Sequence, residues 1–192
     1  MNTGFYPKLA LDGIKKNRRL YFPFIMTCVG MVMMFYIISY LHYSDSVAAM
    51  RGGAIVRTML NLGTITVGIF SCIFLFYTNS FLIRRRKKEF GLYHILGMGK
   101  RNIARILFWE TMLTALISLV IGIGFGILFS KLAELGMLRL MHAQASYSMQ
   151  ISPDSILFTI DEFGCIFILL FFNALRQIHF SSAISLIRSE NV

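Results

Sequence analysis

The chain has 192 residues, 56% of them hydrophobic, with a formal net charge of +10 and a mean hydropathy of +0.67. These values exclude an ordinary soluble domain, which can bury many Phe and Leu side chains but not uninterrupted runs of about twenty of them without lipid. In so apolar a chain the excess Lys and Arg read first as topology signals, and no nucleic-acid partner is expected.

Residues 1–19 hold Lys8, Lys15, Lys16, Arg18 and Arg19. With Pro7 at the first turn, the stretch Lys8 to Arg19 reads as a short amphipathic helix at the cytoplasmic membrane surface, with Leu9, Leu11 and Ile14 toward lipid. The plainer alternative is a basic leader that only sets orientation. The first spanning segment is predicted over 20–41, with Tyr21, Phe22, Tyr40 and Tyr43 as interfacial anchors and Pro23 in its first turn. It is expected to be a retained helix, since no small-residue cleavage site follows it.

The second span is predicted over 62–83, its helix beginning as early as Ile55, and it stops at Arg84-Arg85-Arg86-Lys87-Lys88. The third covers 106–129, and its Gly122-x-x-x-Gly126 lets a neighbouring helix approach closely. An external loop is expected over 130–155. The fourth span, 156–178, follows Ser152 as cap and Pro153 at the first helical position. Residues 179–192 form a cytoplasmic tail.

Three acidic residues fall within or beside these spans. Asp161 and Glu162 fit either a polar pathway through the bilayer or, preferably, the true membrane interface, with the fourth span starting at Phe163. Glu110 reads as a snorkelling partner of Arg105 or Lys100, with a role in coupling as the sharper alternative. The cysteines, Cys28, Cys72 and Cys165, read as small buried hydrophobes, and the four histidines lack ligand spacing, so no metal site is expected.

The N-terminal segment carries five Lys and Arg, the 84–105 loop eight and residues 176–192 two, against four in the remaining loops. Fifteen against four places both termini and the middle loop in the cytoplasm. Within that middle loop, an apolar stretch from Phe90 to Gly99 lies between two basic clusters. Phe90, Leu92, Tyr93, Ile95, Leu96 and Met98 call for a cover. A short helix in a partner's groove supplies one and the lipid surface another, and the residues do not choose between them. Gly97 and Gly99 are expected to end that helix.

The pattern Arg86-x-x-Glu89-Phe90-Gly91-x-x-x-x-Leu96-Gly97-Met98-x-Lys100-x-x-Ile103, set between two spans, resembles the signature of FtsX-like permeases. These are the type VII ABC-transporter membrane subunits, and the resemblance covers residues 56–180. The stretches Phe5-Tyr-Pro-Lys-Leu-Ala-Leu-Asp-Gly-Ile-Lys-Lys-Asn, Asn173-Ala-Leu-Arg-Gln-Ile and Ser182-Ala-Ile-Ser-Leu-Ile-Arg-Ser-Glu are similar to the bacitracin-resistance type. The implied fold is an all-α membrane protein of four transmembrane helices, with an amphipathic N-terminal helix and a short cytoplasmic coupling helix. The implied site is the loop that docks on a cytoplasmic ABC ATPase dimer, carried by Arg86, Glu89, Phe90, Gly91, Tyr93, Leu96, Gly97 and Lys100.

The resemblance further implies a bacterial cell-membrane transporter subunit for peptide-antibiotic resistance. Its partners would be the ATPase, the bilayer, a sensor histidine kinase, and a peptide antibiotic or its lipid-carrier complex. This chain has no G-x-x-x-x-G-K-[ST], so it is expected to be non-catalytic and to bind no cofactor itself, with ATP and Mg²⁺ on the ATPase. Alternatives are a signalling scaffold like the cell-division FtsX proteins, or a lipoprotein-release permease. Bacitracin-type permeases are several times longer, with a large extracellular domain and a second FtsX-like unit. This chain resembles only their N-terminal part, and is expected to be a fragment, a truncated frame or a stand-alone half.

Overall fold

A computed structural model describes residues 5–49, 52–95, 97–140 and 152–179. These residues form seven helices, α1 Phe5–Lys16, α2 Arg18–Tyr43, α3 Asp45–Ala48, α4 Gly53–Arg85, α5 Lys87–Ile95, α6 Lys100–Leu140 and α7 Pro153–His179, and no strand. Four of them, α2, α4, α6 and α7, are long and apolar enough to cross a bilayer. The fold is therefore an all-α, multi-pass membrane bundle.

Several helices outrun the apolar stretches that reveal them. The 41 residues of α6 rise about 60 Å, twice the hydrocarbon thickness. Residues 130–140, expected as loop, are its last turns. Ser130, Glu134 and Leu138 recur at four-residue spacing on its buried face, a helical period that continues after hydrophobicity has fallen away. Residues 141–151 of that expected loop, and the 180–192 tail with its Ser182 motif, lie outside the described residues. At the other boundary, α4 begins at Gly53, after Gly52 takes the left-handed conformation (φ 83°), where a side chain would be strained.

The N-terminal helix also differs from expectation. It starts at Phe5 and breaks at Asn17, so Arg18 and Arg19 open α2. Pro23 consequently sits in the second turn of α2 rather than the first, where its ring removes the bond to the Arg19 carbonyl. Of the three apolar residues expected to face lipid, only Leu11 is exposed. Ala10 and Gly13 are buried, and Ile14 packs on the core.

The core is centred on α2, whose Tyr21, Phe24, Cys28, Val32 and Phe35 pack with Leu75 and Leu82 of α4 and Phe163, Ile166 and Leu170 of α7. Helices α2 and α6 run parallel. Tyr21 meets Glu110 and Tyr40 meets Glu134, at sequence offsets of 89 and 94 residues. Between these two contacts the backbones touch. A Cβ on Gly122 would lie 2.7 Å from Val32 Cβ, and one on Gly126 2.7 Å from Tyr36 Cδ1. Between apolar helices in lipid, such close van der Waals packing replaces the hydrophobic drive available in water.

Polar side chains fix α7 on α4. Asn79 donates to the Leu170 carbonyl at 3.2 Å, and Asn173 and Gln177 each donate to Ser80 Oγ at 3.0 Å. The Ser152 cap holds the start of α7 through Ser155 Oγ at 3.0 Å.

Candidate functional site

The loop between α4 and α6 folds into α5, and Arg86 is the joint. It terminates α4 as its C-cap, yet its side chain is only 1% exposed. A bare guanidinium cannot be buried so deeply at tolerable cost, and here four of its five N–H donors are met. Nη1 and Nη2 form a bidentate pair with Glu110 of α6 at 2.6 and 2.9 Å, and Nε donates to Glu89 of α5 at 3.0 Å. Nη1 also donates to the Tyr21 hydroxyl, which in turn donates to Glu110 Oε2 at 3.0 Å. Burial works to lower the Arg86 pKa, but Glu110, Tyr21 and Glu89 together outweigh it and hold it above its ordinary value.

The flat faces of the guanidinium are covered as well, by the Tyr21 ring at 5.3 Å and the Phe90 ring at 5.0 Å. The N-terminal helix closes the cluster from the other side. Asn17 Nδ2 donates to Glu89 Oε1 at 2.7 Å, so the residue that opens α2 uses its amide on α5. A Cβ on Gly13 would fall 2.8 Å from Glu110 Oε1. Five helices, α1, α2, α4, α5 and α6, thus meet around one cation.

The helical phase of α5 sorts the expected contact residues into two sets. Phe90 is 0% exposed and packs with Ile83, Ile103, Leu107, Ala174 and Ile178, and Gly91 is buried. Tyr93 leans on the same cluster, and burial raises its hydroxyl pKa. On the opposite face Leu92 and Ile95 are 57% and 65% exposed. Phe90 and Gly91, expected at the partner surface, instead anchor α5 to the bundle, because they follow Arg86 by about one turn.

Gly97 ends α5 in the left-handed conformation (φ 82°), and the Met98 amide reaches back to the Tyr93 carbonyl at 2.9 Å, a Schellman closure. Gly99 does the opposite of what was expected. Its carbonyl accepts from Asn102 at 2.9 Å and opens α6. Lys100 is exposed at the first position of α6, and Leu96 lies outside the described residues.

Glu110 does not snorkel to Arg105 or Lys100. Arg105 is turned outward onto the Tyr6 ring at 5.5 Å, and the buried Arg86 is the better partner. Glu110, Asp161 and Glu162 are not gathered into one pathway. Asp161 is exposed beside Asp154 and Tyr43, while Glu162 faces Gly68 of α4, far along the bundle from α5.

A second carboxylate cluster went unread in the sequence. Glu134, almost fully buried near the far end of α6, accepts from Tyr40 at 3.1 Å, Ser44 at 2.9 Å and Lys131 at 2.9 Å. The i, i+3 pair Lys131 and Glu134 was the available signal, hidden because the segment reads as loop. Tyr21 was likewise visible only as an interfacial anchor, and Asn17 only as part of the helix expected from Lys8 to Arg19. No group of His, Cys, Asp and Glu able to hold a metal occurs among the described residues.

Comparison with known proteins places this geometry. Residues 61–183 match the model of the FtsX-like permease C-terminal family. The chain is 31% identical over 183 residues to the uncharacterized ABC transporter permease YvcS of Bacillus subtilis, covering 94% of this chain and 28% of that protein. It is 29% identical over 167 residues to the bacitracin export permease protein BceB of Bacillus subtilis, covering 85% and 25%, and 25% identical over 159 residues to the BceB of Halalkalibacterium halodurans, covering 83% and 24%. The chain thus spans about a quarter of the length of these curated relatives. With four membrane-spanning helices and a family match over most of its length, the chain belongs to the FtsX-like permeases of ABC transporters.

Proposed function

We propose that this chain is a permease unit that couples a cytoplasmic ABC ATPase to movement of the membrane bundle, in a system that protects the cell from peptide antibiotics. The observation that carries the coupling reading is the division of α5 into a buried face locked on Arg86 and an exposed apolar face of Leu92 and Ile95. An exposed apolar face on a helix flanked in sequence by basic residues suits a groove in another protein. Movement of α5 passes through Arg86 to Glu110 and so to α6, which is packed against α2 along Gly122 and Gly126. ATP and Mg²⁺ belong to the partner.

Both termini and α5 face the cytoplasm in this reading, which rests on the lysine and arginine distribution. The antibiotic class rests on the BceB relatives, named as bacitracin export permeases. A sensor kinase and a peptide or its lipid-carrier complex remain part of the proposal as further partners.

The test is copurification with the ATPase encoded beside this gene. Leu92→Asp with Ile95→Asp should abolish copurification while leaving the helical content and the elution profile of the permease unchanged. Undiminished binding by this double variant overturns the docking surface. If the ATPase binds and the deletion strain keeps its full bacitracin tolerance, the antibiotic assignment fails while coupling stands.

A further inference from the structure

At the end of the bundle away from α5, helices α2, α4 and α7 line a half-open cavity of about 450 Å³. Phe35, Phe158 and Ile166 form apolar walls, and His42, Tyr43, Asn61, Thr64 and Glu162 also line it. No hydrogen bond or ion pair joins the Glu162 carboxylate to any described residue. The backbone makes room for it. A Cβ on Gly68 would lie 3.1 Å from Glu162 Oε1 and 3.4 Å from Phe35 Cε2. Arg57 has its Nε on the carbonyl of His42, a residue of the cavity wall, at 3.1 Å.

An unpaired carboxylate on the wall of a largely apolar cavity calls for a guest with a positive charge. We propose that this cavity binds the ammonium head of a membrane-partitioned primary amine, with Glu162 as its counter-charge and the apolar walls holding its chain. The amine is either the headgroup of a membrane lipid or a soluble alkylamine. The inference rests on α2, α4 and α7 alone and is independent of the ATPase reading.

Two thiols on the cavity wall, Cys72 and Cys165, report on it, and fully buried Cys28 serves as the internal reference. The full chain is placed in nanodiscs of phosphatidylglycerol, which has no amine and leaves both faces open, and its cysteines are modified with aminoethyl or sulfonatoethyl methanethiosulfonate. The cationic reagent should modify Cys165 and Cys72 at least tenfold faster than the anionic one. Glu162→Gln, nearly isosteric, should erase most of that ratio, and Gly68→Ala should reduce it. Dodecylammonium should protect both thiols where dodecanoate does not. Protection on adding phosphatidylethanolamine identifies a lipid headgroup as the occupant, and protection by dodecylammonium alone identifies a soluble amine. A ratio untouched by Glu162→Gln, equal protection by both amphiphiles, or thiols inert to both reagents overturns the proposal.

Discussion

Arg86 and Glu110, 24 residues apart, form a bidentate ion pair with contacts of 2.6 and 2.9 Å, and both side chains are buried. One residue ends α4 and the other lies in the third turn of α6, so the pair closes the loop that carries α5. A pair in this position costs desolvation when it forms and exposes an uncompensated charge when one partner is lost.

The stability consequence is asymmetric. Glu110→Leu or Arg86→Met alone should destabilise the bundle by about 3–5 kcal/mol, while the double variant should recover a substantial part of that loss. Thermal unfolding in detergent, carried out as a double-variant cycle, measures both. Additive losses would show that the two residues act separately.

Phe90 and Ile95 should respond in opposite ways. Phe90→Ala empties a fully buried site and should cost about 3–5 kcal/mol. Ile95→Asp should change stability by less than about 0.5 kcal/mol, as surface positions do. The comparison is again thermal unfolding of the purified permease.

Gly122 and Gly126 set how close α6 lies to α2. Gly126→Leu should force the helices apart, since even its first carbon falls 2.7 Å from the Tyr36 ring. Overpacking of this kind costs about 1–3 kcal/mol. Gly124→Leu, where a Cβ meets nothing within 4 Å, is the matched control and should be tolerated.

At the far end of α6, Glu134→Leu should release Tyr40 and Ser44 together and loosen the short α3 that follows Ser44. Hydrogen exchange should rise at Asp45–Ala48 and stay unchanged in α5. Exchange that rises equally at both ends would mean that the two carboxylate clusters are one cooperative unit.

The spans were legible because lipid demands long apolar runs, and nothing soluble imitates them. What lies beyond the bilayer lacks that signature. The last turns of α6 read as loop because Lys131, Glu134 and Arg139 interrupt the apolar run, although their helical phase persists. The site was legible as a motif but not as a geometry. Glu110 looked like an acid near an interface and Arg86 like one of eight loop cations. Their pairing depends on α5 folding back under the bundle, which local spacing does not encode. The burial of Phe90 could be read only once Lys87 was known to open the helix and so to set its phase.

In the proposed coupling, α5 meets its partner with the Leu92 and Ile95 face and holds the bundle with the Arg86 and Phe90 face. In a variant whose native cysteines are replaced, Ile95→Cys and Phe90→Cys are compared for bismaleimide crosslinking to the copurified ATPase. Efficient crosslinking is expected from position 95 and none from position 90. Crosslinking from 90 but not 95 would contradict the proposed coupling.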